Sequence, residues 1–213
     1  TPFYLKAVEE LKPYVDFYKI ASYELLWQDL FKACAKTGRP IMFSTGMAVL
    51  DEIKQALDSI IGGKSKDITI FHCVSSYPTP IEDVNLSSLN TMREELEIYK
   101  KHFNLSFGWS DHTVEPAVIL RAAYFYNVDV VEFHLDLEGE GAEFSGGHCW
   151  LPDKMQDVIQ MINDGVISDG SGTIGPAQSE LSDREWRADS VDGLRPLAHM
   201  RNKGMKGSDG KGG

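Results

Sequence analysis

The sequence has 213 residues, of which 42% are hydrophobic and 25% charged, with a formal net charge of −11 and a pI near 5.0. This acidic balance argues against a nucleic-acid partner and against an anionic membrane surface, because both require clustered lysines and arginines. A small anionic ligand is still compatible with the composition, since one lysine, a metal ion or a helix N-terminus can bind it.

Five short apolar runs, each ending in polar residues, divide the chain at 18–22, 42–46, 70–75, 107–112 and 131–134. Helical patterns lie before, between and after these runs, at about 4–12, 24–37, 51–61, 86–102, 115–126 and 153–163. Asp51 is suited to cap the third of these helices. Buried parallel strands are short and apolar, and each return to the next parallel strand needs a crossover that is usually a helix.

The alternation predicts an α/β chain of the (β/α)8 TIM-barrel type, with polar strand ends gathered at one rim. A complete barrel takes about 250 residues, so we expect a partial barrel over 1–163. An irregular arm or linker is predicted over 164–202, and a disordered glycine-rich tail over 203–213. Because the first residue is Thr1 rather than Met, we expect an internal piece of a longer protein.

Three widely separated cysteines, Cys34, Cys73 and Cys149, do not predict a disulfide framework. Their pattern favours a reducing, cytoplasmic location. The sequence contains no run of about 18 apolar residues, the length that would predict a transmembrane helix.

His112 and His134 end neighbouring predicted strands, so both rings could bind one divalent metal ion such as manganese, zinc or iron. The alternative is a pair of hydrogen-bonded histidines without a metal. Asp111 and Glu132 could orient the two rings as acceptors, or they could be ordinary loop carboxylates.

A second set of strand-end residues, Lys19, Ser22, Ser44 and Ser110, predicts an anion site for a phosphate or a carboxylate. A lysine at the end of an apolar strand is costly to bury without a negative partner. The alternative partner for Lys19 is a structural carboxylate such as Glu24.

Residues 72–80 begin with His72 and Cys73, whose side chains point to opposite sides of a strand. This geometry disfavours a Cys–His nucleophilic pair, so Cys73 is interpreted as a small barrel residue. Tyr77 lies in a proline-stiffened loop suited to line a substrate pocket. His148 and Cys149 are weak ligand candidates because no CxxC partner accompanies them.

The order of motifs resembles the sialic acid synthase family, which includes the N-acetylneuraminate, legionaminate and pseudaminate synthases. The resemblance runs from Thr1 to about Asn163. It is carried by the segments at 1–3, 19–22, 44–47, 72–73, 77–80, 82–86, 110–113 and 132–134.

The resemblance implies a (β/α)8 barrel that condenses phosphoenolpyruvate with an N-acetylated hexose such as N-acetylmannosamine. It assigns phosphoenolpyruvate binding to Thr1, Lys19, Ser22, Ser44 and Ser110. A divalent ion, manganese or magnesium, would be bound by His112 and His134. That ion would polarise the sugar aldehyde, the enol carbon would attack it, and phosphate would leave after water addition.

Sugar contacts are implied for Ser75 and Tyr77, although Ser75 replaces a residue that is often Asn. This chain has residues 141–144 and 147–150 where many members carry Gly-Pro-Asp-His, so Glu143 could replace the Asp as a sugar or acid–base contact. Lys19 and Glu143 are thus the catalytic candidates.

Two further departures concern the extent of the chain. The family's opening strands are not found, so the pattern would run from the end of the third strand to the eighth. The family's antifreeze-like C-terminal domain, which acts across a homodimer, is also not found. We therefore expect the parent protein to be a homodimeric enzyme and the isolated chain to be inactive. The alternatives are a metal-dependent barrel hydrolase and a non-catalytic degenerate barrel fragment.

Overall fold

The computed structural model describes residues 1–205 and contains one sheet of six parallel strands that follow the order of the chain. The strands are β1 (Tyr18–Ile20), β2 (Ile41–Ser44), β3 (Asp67–Cys73), β4 (Asn104–Asp111), β5 (Val130–Leu135) and β6 (Cys149–Trp150). Parallel strands in sequential order, joined through helices, are the architecture of a TIM-type barrel. The predicted fold class, a partial barrel, is confirmed.

The helices are α1 (Leu5–Leu11), α2 (Gln28–Thr37), α3 (Leu50–Ile60), α4 (Ser88–Glu95), α5 (Pro116–Tyr124), α6 (Ala142–Ser145), α7 (Pro152–Ser168) and α8 (Ala198–Met205). Helix α2 ends at Gly38, which adopts a left-handed φ of 79° and donates its N–H to the Ala35 carbonyl. The predicted helix over 86–102 divides into α4 and a 3-10 helix, Glu97–Lys101.

The start of α3 differs from the prediction that Asp51 caps it. The N-cap is Val49, and its backbone N–H donates to the Glu52 side chain over 2.9 Å. Asp51 therefore lies in the first turn, where its negative charge interacts favourably with the positive end of the helix dipole.

The sixth strand of the structure lies after the last predicted run rather than at the start of the chain. Residues 1–4 are not in a strand, whereas β6 pairs with β5 in the register His134↔Cys149 and Leu135↔Trp150. A strand of two residues is too short to show a periodicity in sequence, so only its partner strand reveals it.

The core between the sheet and its helices contains large side chains that are almost fully buried, including Trp109, Trp150 and Phe43. Phe71 is equally buried but lies beside Lys19, whose ammonium is 5.4 Å from its ring centroid. Gly108 in β4 leaves room for the Phe71 ring, because a Cβ there would lie 2.4 Å from it. Close backbone approach of this kind is a common reason for glycine inside a strand.

Asp111, at the end of β4, is fully buried behind the rim and is a hydrogen-bond centre. Its carboxylate accepts from the indole N–H groups of Trp109 (3.1 Å) and Trp150 (2.9 Å). It also accepts from Thr113 Oγ1 (2.7 Å) and from the Val114 backbone N–H (3.1 Å). Asp111 thereby joins β4 to β6 and fixes the loop that follows β4.

Two compact units divide the chain, one over Thr1–Gly165 and one from Val166 onward. The second contains the 3-10 helices Gln178–Glu180 and Arg184–Trp186, followed by α8. The predicted boundaries at 163 and 202 remain predictions. The predicted tail lies outside the described residues from position 206 onward, whereas its first three residues, 203–205, are the end of α8. No helix within residues 1–205 has the length and apolar character needed to cross a membrane.

Candidate active site at the strand ends

The carboxyl ends of the strands carry two neighbouring groups of polar side chains. The anion cluster is defined as Lys19, Ser22, Ser44, Ser75, Ser110 and Glu132. The imidazole cluster is defined as Tyr77, His112, His134, Glu143, His148 and Cys149. Both include residues at the ends of parallel strands, where barrel enzymes have their active sites.

Lys19 is the centre of the anion cluster. Its ammonium donates to Ser44 Oγ over 2.6 Å and lies 3.2 Å from Glu132 Oε2. Ser110 Oγ donates to the other oxygen of Glu132 over 3.3 Å. The carboxylate partner of Lys19 is therefore Glu132, not Glu24. Glu132 supports Lys19, so its predicted role in orienting His134 is wrong.

Gly46 brings Ser22 and Ser75 together beside β2. Its backbone N–H donates to Ser22 Oγ over 3.0 Å. A Cβ at Gly46 would lie 2.1 Å from Ser75 Oγ and 2.9 Å from Ser22 Oγ, so only glycine fits. Ser75 thus lies with the anion cluster, and its predicted sugar contact remains a prediction.

Thr1 is the predicted anion ligand that the structure does not bring into the cluster. Its side chain is exposed, and it makes no hydrogen bond to the anion cluster within the described residues. Its role in binding phosphoenolpyruvate therefore remains a prediction from the resemblance alone.

Cys73 and His72 make separate contacts. Cys73 Sγ lies 3.2 Å from Ser22 Oγ, and burial raises the pKa of its thiol. His72 Nε2 donates to the Val84 carbonyl over 2.8 Å, and burial lowers the pKa of its ring. A protonated thiol beside a serine agrees with the interpretation of Cys73 as a small barrel residue.

The imidazole cluster brings together the two predicted metal-binding histidines. The ring centroids of His112 and His134 are 5.2 Å apart, and Tyr77 packs 4.2 Å from His112 and 5.9 Å from His134. The structure therefore places both rings on one side of the rim. Their role as metal ligands remains a prediction.

His112 is oriented by a backbone carbonyl rather than by Asp111, whose predicted role as ring acceptor is wrong. The Nδ1 of His112 lies 2.7 Å from the Val74 carbonyl oxygen, so Nδ1 is the donor of this hydrogen bond. The Nε2 of His112 is then the nitrogen that can bind a ligand. The pKa of this imidazole is lowered, mainly by burial and also by His134, although the Val74 bond opposes the shift.

Two residues treated only as weak candidates, His148 and Cys149, complete this cluster. The His148 ring lies 5.1 Å from His134 and 5.0 Å from Tyr77. Glu143 Oε2 lies 3.1 Å from His134 Nδ1 and 3.9 Å from Cys149 Sγ. Burial lowers the pKa of His148, and burial together with Glu143 raises the pKa of Cys149.

The strand pairing explains why sequence reasoning gave these two residues only as weak candidates. Cys149 faces the metal candidate His134 only because β6 pairs with β5 at that position. Their adjacency in the sequence, after a strand ending in His134, is the local signal that points to them.

A divalent cation fits the donor set of this cluster. One ligand atom each from His134, Glu143, His148 and Cys149 lies within 4.8 Å of the others. His148 Nδ1 is buried and lacks a hydrogen-bond partner within the described residues. Imidazole, carboxylate and thiol groups are all common ligands of divalent metals.

A partial TIM-type barrel with such clusters at its strand ends has the architecture of a barrel enzyme. Residues 1–173 match the model of the NeuB family. The chain therefore belongs to the NeuB family, the family of sialic acid synthases, which confirms the resemblance seen in the motifs.

Similar proteins include two from named organisms. An uncharacterised protein of Methanocaldococcus jannaschii is 36% identical over 211 residues, covering 95% of this chain and 56% of its own. The N,N'-diacetyllegionaminic acid synthase of Campylobacter jejuni is 36% identical over 141 residues, covering 65% and 40%. The chain thus spans about half the length of the curated relatives it matches.

Solved structures show the same fold. The N-acetylneuraminic acid synthetase of Leptospira borgpetersenii, crystallised with citrate, matches with a TM-score of 0.66 and 27% identity over 87% of this chain and 62% of its own. A truncated 3-deoxy-D-arabino-heptulosonate 7-phosphate synthase of Thermotoga maritima matches with a TM-score of 0.61 over 79% of this chain and 64% of its own, at 13% identity. The second likeness concerns the fold alone.

Proposed function

We propose that the natural protein carrying this sequence condenses phosphoenolpyruvate with an N-acylhexosamine of the N-acetylmannosamine type. The products are a nine-carbon 2-keto acid of the sialic acid class and inorganic phosphate. Membership of the NeuB family and the legionaminic and pseudaminic acid synthases among the relatives support this reaction class. The observation that carries the proposal is the largely buried Lys19 in a hydroxyl-lined cluster beside the imidazole cluster.

The anion cluster is the proposed site for phosphoenolpyruvate. Lys19 supplies the positive charge, with 15% of its side chain exposed, and Ser44 Oγ already lies 2.6 Å from its ammonium. Hydroxyls and an ammonium suit phosphate and carboxylate oxygens, which accept several charge-assisted hydrogen bonds. Glu132 neutralises Lys19 when no anion is present, so substrate binding exchanges one negative partner for another. The resemblance adds Thr1 to this site.

The imidazole cluster is the proposed site for the sugar and the metal ion. His112 and His134 would hold manganese or magnesium, and the free Nε2 of His112 is suited to this role. When bound, that ion supplies Lewis-acid polarisation of the aldehyde oxygen of the open-chain sugar. Ser75 and Tyr77 are the proposed sugar contacts, and Glu143 the proposed acid or base.

Carbon–carbon bond formation would take place between the two clusters. The enol carbon of phosphoenolpyruvate attacks the aldehyde carbon, and water adds to the resulting oxocarbenium centre. Cleavage of the carbon–oxygen bond then releases phosphate. Holding both substrates on one rigid rim lowers the entropic part of the barrier.

Phosphate release tests the proposal in the natural protein that carries this sequence. Release from phosphoenolpyruvate should require both N-acetylmannosamine and a divalent metal ion. Lys19→Ala should lower kcat/KM by at least about 1,000-fold, because it removes the charge that binds the reacting group.

Lys54→Ala is the matched control. Lys54 is also ion-paired, 2.8 Å from Glu95, but it lies on α3 and not in either cluster. Its substitution should leave kcat/KM unchanged. Phosphate release that needs no sugar would sink the proposal, because water alone would then be the acceptor.

A further inference from the structure

Four side chains of three chemical types meet beside β6, in a segment where the chain departs from the family's Gly-Pro-Asp-His pattern. We propose that they form a site for a zinc-class divalent cation with a thiolate ligand. The ligands are His134, Glu143, His148 and Cys149. The inference deepens the proposed function and rests on it for the role of the ion in catalysis. Cation binding itself depends only on the four side chains.

The distances around Glu143 suit a tetrahedral ion. With zinc–nitrogen and zinc–oxygen bonds of about 2.0–2.1 Å and a zinc–sulfur bond of about 2.3 Å, tetrahedral ligands lie about 3.3 Å apart, or about 3.6 Å when one is sulfur. Glu143 Oε2 lies 3.1 Å from His134 Nδ1 and 3.9 Å from Cys149 Sγ. No ligand pair exceeds 4.8 Å, so a movement of about 1 Å completes the geometry.

His148 supplies an independent observation. Its ring is 9% exposed, yet its side chain makes no hydrogen bond within the described residues and its Nδ1 is buried without a partner. His72 is equally buried but donates to the Val84 carbonyl over 2.8 Å. Buried polar groups are normally paired, so His148 is a group whose partner a bound cation would supply.

The space beside His148 is kept open by a glycine. A Cβ at Gly146 would lie 3.2 Å from His148 Nδ1, tighter than ordinary van der Waals contact. On the other side, the thiol of Cys149 is only 6% exposed and faces the carboxylate of Glu143. The ligands therefore converge from α6, from β5 and from the start of β6 on a point that is buried on the side of His148 and Cys149 and open on the side of Glu143.

Cation binding exchanges a proton of the protein for the metal ion. The ion replaces the thiol proton of Cys149, which leaves to solvent, and a metal–sulfur bond forms. His134 binds as a neutral ring through Nδ1, with its proton on Nε2. A thiolate and two imidazoles favour zinc-class ions over magnesium, which prefers oxygen ligands. Because His134 offers one unprotonated nitrogen, an ion bound here excludes an ion held by His112 and His134, and Glu143 is then a ligand rather than an acid or base. The site predicts a zinc-class ion where His112 and His134 predict manganese or magnesium.

Cobalt(II) is the spectroscopic probe of the proposed cation site. A thiolate ligand gives bound Co²⁺ a near-ultraviolet charge-transfer band, and tetrahedral geometry gives it intense visible absorption bands. Titration of the full chain with Co²⁺ should produce both sets of bands, and one equivalent of Zn²⁺ should remove them. A large excess of Mg²⁺ should not. Cys149→Ser should abolish the charge-transfer band and weaken Zn²⁺ binding at least about tenfold. His148→Asn should weaken Zn²⁺ binding to a similar extent but keep the charge-transfer band, because the thiolate remains.

Cys34→Ala is the matched control, because Cys34 is also buried but lies on α2 in the core. It should keep the bands. Alkylation mapped by mass spectrometry gives a second readout on unmutated protein: Zn²⁺ should slow labelling of Cys149 but not of Cys34.

Visible bands without a charge-transfer component would overturn the site and assign the ion to His112 and His134 instead. A charge-transfer band retained in Cys149→Ser would also overturn it, because another thiol would then be the ligand. Absence of bands in a chain with native circular dichroism would overturn it as well. If the bands appear but condensation does not, the proposed function fails while the cation site stands.

Discussion

The two clusters on the rim differ in how their charged groups and ring nitrogens are satisfied, although the anion cluster also contains one buried atom without a partner among the described residues, Ser75 Oγ. In the anion cluster, Lys19 has both Ser44 and Glu132 as partners, and Ser110 donates to Glu132. In the imidazole cluster, the buried Nδ1 of His148 has no partner among the described residues. The first cluster is neutralised from within and must exchange a partner to bind an anion. The second retains open ligand atoms and can bind an ion by addition.

The largest expected effect on the stability of the rim comes from removing Asp111, the buried carboxylate behind both clusters. Asp111→Ala leaves the indole N–H groups of Trp109 and Trp150 without their shared acceptor. Loss of charged hydrogen bonds and burial of unpaired donors should lower the free energy of unfolding by about 3–5 kcal/mol. The urea midpoint and slope measure it.

Asp29→Ala is the control for this substitution. Asp29 is an exposed carboxylate whose partner Lys32 lies 3.4 Å away, so its loss should cost less than about 0.5 kcal/mol. Equal effects at the two positions would mean that the contacts of Asp111 do not stabilise the rim.

A smaller effect compares the two equally buried histidines, His72 and His148. His72→Phe removes a donor and leaves the Val84 carbonyl unpaired, which should cost about 1–2 kcal/mol. His148→Phe replaces a ring that makes no hydrogen bond to any residue of 1–205, so in metal-free protein it should change stability by less than about 1 kcal/mol. Thermal unfolding with a chelator present distinguishes them. A larger loss at His148 would contradict its unpartnered state.

The smallest effect concerns the internal neutralisation of the anion cluster. Glu132→Gln keeps the shape of the side chain but removes the charge that competes for Lys19. Phosphoenolpyruvate should then bind about fivefold more tightly, since the lost ion pair is partly exposed. Calorimetric titration measures the affinity, with Glu95→Gln as the control, because Glu95 pairs with Lys54 on α3. Weaker binding would instead make Glu132 a positioning residue for Lys19.

Much of this architecture was predictable because its signals are local. The apolar runs identified β1 to β5, and helical spacing identified the major crossovers, since both depend on which face of a short segment is buried. The convergence of His112 with His134, and of Lys19 with Ser44, followed from parallel strands ending at one rim. The order of the motifs also indicated the family.

The partners of individual side chains were less predictable. Asp111 and Glu132 were both considered as acceptors for histidines, yet one binds two tryptophans and the other binds a lysine. A carboxylate near a histidine in sequence has several acceptable partners, and the register of neighbouring strands selects among them.

The sequence by itself determined a parallel barrel-type sheet, its polar rim and its family, because periodic burial and motif order are properties of the chain. Only the tertiary structure decided that Lys19 pairs with Glu132, and that His148 and Cys149 join His134 and Glu143. Those contacts depend on the pairing of β5 with a strand of two residues. Their physical origin is the register of the folded sheet, which local sequence patterns do not encode.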